Sequence, residues 1–356
     1  MAAVTEVSDS KLAVRPTTLR PWLLIGALAC LAGAVLAGVL VGPAGMPVGR
    51  VLEELVNRLP LVHVSSGLTP LDAAILWQIR VPRVVLGGLV GAMLATAGAS
   101  YQGVFRNPLA DPYLLGAAAG AGLGATLAIA YGPDTASWPV GLLPLAAFAG
   151  ALAGVATAYA LGRSGGGRSA TTLVLAGVAV MSFLTAVQTY VQQREAETLR
   201  EVYGWILGRL TTAGWHEVLL ILPYLLVSTA VIVAHRRLLD VLAVGDDEAE
   251  SLGVRAARVR LVIVAAASLG TAAAVAVSGL IGFVGIIVPH TIRLVAGSSY
   301  RLVVPLCLLL GAAFLILADL VGRTVMAPGE LPIGVVTAFF GAPFFAVVLR
   351  TSRRTL

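Results

Sequence analysis

Lysine is all but absent: Lys11 is the single one in 356 residues, although arginine raises the Lys plus Arg total to 24. A Walker-type phosphate loop needs a lysine to reach the β- and γ-phosphates, so no such ATPase site exists in this polypeptide. The segment Gly162-Arg163-Ser164-Gly165-Gly166-Gly167-Arg168-Ser169 carries the glycines of that loop, but with arginine in the lysine's place and apolar flanks, and reads as a turn. Charge of both signs is scarce, 12% of residues against about 25% in an average soluble domain. Water is thereby excluded as the main solvent of the chain. Two cysteines, Cys30 and Cys307, sit inside apolar runs and imply neither a disulfide framework nor redox chemistry. The four histidines (His63, His216, His235, His290) are scattered, with no H-x-x-x-H or C-x-x-C spacing to hold a metal.

What the chain has is long hydrophobic runs, 58% of its residues being apolar. A span needs about 20 such residues to cross roughly 30 Å of hydrocarbon, and about ten candidates are visible. They cover 22–41, 84–104, 114–131, 139–161, 170–191, 216–234, 261–278, 280–296, 302–320 and 332–350. Each is expected to be helical, because lipid offers backbone groups no other partner. The fold class is thus an all-α integral membrane protein, one transmembrane domain over 1–356, with 1–21 as a polar tail. Ten spans put both termini on one side. If that side is the cytoplasm, roughly two-thirds of the 24 Lys plus Arg fall inside, as the positive-inside rule requires. The net charge of +6 is spread over short loops and forms no nucleic-acid-binding surface.

The eighth span is interrupted by Gly279, Gly282, Gly285 and Pro289, with His290 next to the proline, and reads as a broken helix buried in protein. Glycines at Gly87, Gly88 and Gly91, and at four-residue spacing at Gly116, Gly120 and Gly124, suit close helix packing. Asp319 is the clearest ionisable residue inside a span, and Arg323, one turn on, neutralises it. In the inside loop from His235 to Arg260, Asp246, Asp247, Glu248, Ala249, Glu250, Ser251 and Leu252 read as a short acidic helix ended by Gly253. Such a knob suits a partner's groove. The competing enzymatic reading is a membrane-embedded lipid or isoprenoid enzyme, in which Asp246, Asp247 and Glu248 hold a metal and a diphosphate, but a second carboxylate motif is missing. On the other side, Arg80 and Arg83 flank Pro82 ahead of the second span, and Arg323 lies at the end of the ninth. They are either interfacial anchors or docking points for an acidic partner.

Several motifs then occur in a recognisable order: Trp77-Gln78-Ile79-Arg80-Val81-Pro82-Arg83, Asn107-Pro108-Leu109-Ala110-Asp111-Pro112, Leu175-Ala176-Gly177-Val178, Ser251-Leu252-Gly253, Gly282-Phe283-Val284-Gly285-Ile286-Ile287-Val288-Pro289-His290, and Glu330-Leu331-Pro332-Ile333-Gly334-Val335-Val336-Thr337-Ala338. With these the sequence resembles the FecCD family of ABC importer permeases for ferric siderophores, heme and cobalamin, and is most similar to its cobalamin-transporting members. The resemblance implies a type II importer fold of ten spans in a homodimer, in the cell (inner) membrane with both termini cytoplasmic. It also implies two ABC ATPase subunits inside, which hold the ATP and magnesium, a substrate-binding protein outside, a metal chelate as cargo, and no cofactor on this chain. It makes 246–254 the coupling helix, Arg80, Arg83 and Arg323 the binding-protein contacts, and Asn107, Leu109, Ala170 and Thr171 the cytoplasmic gate. At the gate this sequence has Ala170-Thr171-Thr172 where the family's cobalamin permease has Thr-Ser-Arg.

Overall fold

A computed structural model describes residues 20–58, 67–133, 140–164, 170–211 and 214–352. Lys11 with the rest of the tail before residue 20, His63, and the glycine run of the expected turn at 165–169 lie outside the described residues. No strand occurs among those described.

Seven helical runs are long and apolar enough to cross a membrane. The first is α1 (Pro21–Leu40), with proline at its first position, where a missing N–H costs nothing. The second is one continuous run, Pro70–Phe105. It consists of α3 (Pro70–Ile75), a wider π-helical turn at Leu76–Arg80, and α4 (Val81–Phe105). The wide turn stands just ahead of Pro82, whose ring would clash with the carbonyl four residues back in an unbroken α-helix. The others are α6 (Leu142–Ser164), α7 (Ala170–Arg194), α9 (Trp215–Val244), α11 (Ala256–Ser278) and α13 (Tyr300–Thr324). α4 is buried on nearly every side, as a helix apolar all round must be, and packs against α9, α11, α12 and α13.

The remaining three expected spans are shorter apolar helices: α5 (Ala117–Tyr131), α12 (Val284–Ala296) and α14 (Ile333–Ser352), the last apolar over Ile333–Val348. The 13 residues of α12 rise only about 20 Å, short of the roughly 30 Å hydrocarbon. Non-helical chain at 279–283 makes up the distance before α12, and 106–116 does so before α5.

Short helices decorate the ends: α2 (Val48–Asn57), α8 (Leu199–Ile206) and α10 (Asp246–Ser251). The expected loop from His235 to Arg260 is mostly helix. His235 to Val244 continue α9, and α11 already starts at Ala256. Polar residues end hydropathy there without ending the helix, because Leu239 and Leu242 keep an apolar face turned inward.

The glycines act as expected. A β-carbon at Gly91 would strike the Gly311 backbone of α13, and one at Gly120 would strike the Gly150 backbone of α6. Carbonyls of Gly38 and Val39 at the end of α1, Arg83 at the start of α4 and Arg323 at the end of α13 meet at one end of the bundle. Asp246 and the start of α11 mark the other.

Candidate functional site

At the Asp246 end, α10 forms because three acidic residues, Asp246, Asp247 and Glu248, occupy the first turn, where the helix dipole favours negative charge. The turn stops at once. The Leu252 N–H donates to Glu248 O, and Gly253, at φ 77°, takes the left-handed position that only glycine fills cheaply. Ala249 is fully buried against Leu242 and Ala256, whereas Leu252 is 68% exposed and Ser251 and Gly253 are exposed with it. The two apolar residues of the expected knob therefore face opposite ways: Ala249 seats it and Leu252 is presented outward. Asp246 anchors it further. The Arg260 guanidinium of α11 donates to both Asp246 carboxylate oxygens at 2.9 Å, and that of Arg106, at the end of α4, lies 3.6 Å away. Motion imposed on α10 thus reaches α4 and α11 through one carboxylate. That carboxylate is occupied by arginine, so the metal–diphosphate reading loses its first ligand.

Arg106 itself has φ 51°, and Asn107 follows as a local cap. Its Oδ1 accepts the Leu109 N–H at 2.9 Å, and its carbonyl the Ala110 N–H at 3.1 Å. Leu109 is 45% exposed. Thr171 is exposed at the start of α7, at the same end of the bundle; of Ala170 only the backbone is described. Farther along this turn the Asp111 carboxylate accepts the Tyr113 N–H at 2.8 Å.

The break lies ahead of α12, in the non-helical chain at 279–283. Of the expected break residues Gly279 and Gly282 fall in it, whereas Gly285, Pro289 and His290 lie inside continuous α12, where Gly285 O, which Pro289 leaves without a helical donor, accepts from Gln102 instead. Gly279, at φ 68°, ends α11, and Phe283, also at φ 68°, precedes α12. Backbone without helical partners is costly at membrane depth, and here neighbouring elements satisfy it. The Tyr113 hydroxyl donates to Ile281 O and accepts from Ile281 N–H, both at 3.1 Å. Gln102 Nε2 donates to Gly285 O at 2.9 Å, and the Arg209 N–H to Ser278 O at 2.8 Å. Gly285 lies against the Gly98 backbone of α4 and Pro112. Pro289 is buried inside α12, and the His290 ring meets Phe344 of α14 edge-on at 5.6 Å. Arg293 ties the same helix to Gln102 at 2.6 Å and to the Tyr300 hydroxyl at 3.3 Å, and Asp240 of α9 accepts from Ser299 and the Tyr300 N–H. Sequence reading missed Gln102, Tyr113, Asp240, Arg293, Arg106 and Arg260. The available signal was a glutamine and charged residues embedded in otherwise apolar helices.

At the opposite end, the expected docking arginines are occupied inside the protein. Arg80, 4% exposed, donates to Val39 O at 3.2 Å and Ala44 O at 2.8 Å, and Arg323, 2% exposed, donates to Gly38 O. Arg83 makes a double fork, to Asp319 at 2.8–3.1 Å and to Glu330 at 2.8 and 3.0 Å. The expected Asp319–Arg323 pair exists at 3.6 Å but is secondary. These guanidinium groups clamp α1, α4, α13 and the 330 segment. Arg80 and Arg323 cannot also reach an external partner in this conformation, because buried charge requires its internal partners.

Comparison with known proteins agrees with this geometry. The FecCD transport family matches residues 23–351. The cobalamin import system permease protein of Halobacterium salinarum is 43% identical over 81% of this chain and 76% of its own. The hemin transport system permease protein of Yersinia pestis is 40% identical over 78% of this chain and 83% of its own. An ABC transporter permease protein of Bacillus subtilis is 40% identical over 91% and 92%. Among solved structures, an inward-facing metal-chelate type ABC transporter aligns with a TM-score of 0.80 at 27% identity, over 93% of this chain and all of that one. With ten apolar helices among the described residues, a break at 279–283 ahead of α12, a short acidic helix tied to two spans, and the family match over residues 23–351, the chain belongs to the FecCD transport family and is the permease subunit of an ABC importer.

Proposed function

We propose that this permease works as a homodimer that carries a metal chelate of the ferric siderophore, heme or cobalamin class into the cytoplasm by alternating access. Two copies of a separate ATPase chain, which hold ATP and magnesium, bind at the Asp246 end. That end is cytoplasmic in this reading, with both chain termini. A binding protein delivers cargo at the Arg83 end and touches the exposed rim around the arginine clamp rather than the Arg80 and Arg323 guanidinium groups. Asn107, Leu109, Ala170 and Thr171 form the inner gate. The chain is a single transmembrane domain and binds no cofactor of its own.

The observation that carries this reading is α10, an acidic helix whose buried side is fixed to α4 and α11 through Asp246 and whose outward side offers Leu252. A groove on a partner takes an exposed leucine flanked by acids, and a rigidly anchored helix transmits the push it receives. Leu252→Arg is expected to lower transport per ATP hydrolysed by about tenfold, the equivalent of losing one buried anchor of roughly 1.4 kcal/mol. Membrane insertion should be unaffected, since Leu252 is 68% exposed and outside the spanning helices. Uptake and ATP turnover in proteoliposomes measure this, and an unchanged ratio with unchanged ATPase copurification removes α10 from the coupling role.

A further inference from the structure

A second feature of the Asp246 end lies beside α10 and shares Glu250 and Arg260 with it. Between α6 and α11 lies a cavity of about 470 Å³ lined by Arg163, Arg255, Arg258 and Arg260, with Glu250 as the one carboxylate among the described lining residues and Tyr159 at its wall. It opens into an apolar groove of about 740 Å³ that runs along the same two helices past Leu152, Val155, Ala156, Val264, Ala265 and Leu269. Tyr159, Arg163 and Leu261 line both, so the basic mouth and the apolar groove are one continuous cleft.

Three arginines, Arg255, Arg258 and Arg260, cluster at the N-terminal end of α11, the positive end of its dipole, and its first turn contains no acidic residue. Cations are disfavoured there, and an anion bound among them is correspondingly favoured. Arg260 turns one nitrogen to Asp246, while Arg163, Arg255 and Arg258 are exposed. From Leu261 to Leu269 the groove rises about 12 Å, close to the depth of one hydrocarbon leaflet, half of roughly 30 Å. A phosphate with an acyl chain attached matches both parts, and neither a free anion nor an acidic peptide fills the apolar one.

We propose that the α6–α11 cleft binds an anionic diacyl phospholipid, its phosphate among Arg163, Arg255 and Arg258 and one acyl chain along the groove, in the leaflet at the Asp246 end. The lipid then braces the start of α11, to which α10 is tied. Its occupant differs from the cargo and from the ATPase, and basic pockets between spanning helices are known to take such headgroups.

The test is native mass spectrometry of the full-length permease purified from membranes and exchanged with phosphatidylglycerol in mild detergent. Arg163→Gln with Arg258→Gln is expected to reduce bound phosphatidylglycerol about tenfold or more, given the worth of two arginines to an anionic headgroup. Arg236→Gln with Arg237→Gln removes the same charge from α9, outside the cleft, and should leave binding within about twofold. Ala265→Trp fills the groove without changing charge and should also displace the lipid, with elution profiles confirming that each variant is folded. Equal lipid loss in the α9 control reduces the effect to general surface attraction and overturns the proposal. Retention in Ala265→Trp, with binding of inorganic phosphate at the arginines, overturns the lipid as occupant. If the cleft variant keeps its lipid but loses ATPase copurification, the arginines belong to the partner interface and the proposal is wrong, while the coupling role of α10 stands.

Discussion

Arg83→Glu is expected to give a permease that inserts but does not purify as a monodisperse folded protein. The substitution removes both forks from Asp319 and Glu330 and brings a third carboxylate to the same spot. Asp319 is buried, with 5% of its side chain exposed, and would retain only Arg323 at 3.6 Å. Breaking one buried pair costs about 3–5 kcal/mol, and like charge adds to it, against a total stability of about 5–15 kcal/mol. Arg83→Lys, which keeps the charge but loses the planar fork, should fall between wild type and Glu. Fluorescence-detected size exclusion after graded heating ranks the three, and a wild-type profile for Arg83→Glu would return the clamp to a dispensable surface feature.

The second large effect is expected at the crossing of α4 with α12. A β-carbon at Gly98 would collide with the carbonyl and Cα of Gly285, backbone atoms that cannot rotate away. Gly98→Val should therefore push α12 off α4 and break the Gln102 hydrogen bond to Gly285 O, costing about 1–3 kcal/mol or more by overpacking. Transport should fall more than expression, because α12 is displaced while the long spans still insert. Gly282→Ala is the internal control. A β-carbon there meets nothing within 4 Å, and transport should stay near wild type. Equal uptake by both variants would show that the glycine contact is not needed.

The difference between what was readable in the sequence and what was not follows from the range of each interaction. Hydropathy located the ten apolar helices of the described residues, because a run that crosses hydrocarbon must be continuously apolar whether it faces lipid or protein. The interruption at Gly279 and Gly282 was readable because glycine acts on its own backbone, whereas Gly285 and Pro289 stay inside α12, held by packing on α4 and Pro112 that no local rule shows. α2 was hidden in the gap between the first two spans, though Val48, Val51, Leu52 and Leu55 have helical spacing. The arginine clamp was out of reach. Asp319 and Arg323 are four apart and invite pairing, whereas the partner that dominates, Arg83, is 236 residues away and no spacing rule finds it. The same holds for Tyr113 on Ile281, 168 residues apart, and for the joining of Arg163 of α6 to the α11 arginines in one cleft. For α10 the charge pattern was legible, but which of Ala249 and Leu252 faces the protein depends on where α9 ends, and that depends on packing of Leu242.

The central claim, that this permease moves a metal chelate only when an ATPase drives it through α10, is tested most directly by uptake into proteoliposomes. The vesicles hold the permease with its ATPase chain, and the binding protein is added outside with a ferric siderophore, heme or cobalamin. The account predicts accumulation of one of these chelates that requires internal ATP and magnesium and is reduced about tenfold by Leu252→Arg, with α10 at the ATP side of the membrane. Accumulation by the permease alone, without ATPase or ATP, would contradict it, as would ATP-driven uptake that Leu252→Arg leaves unchanged.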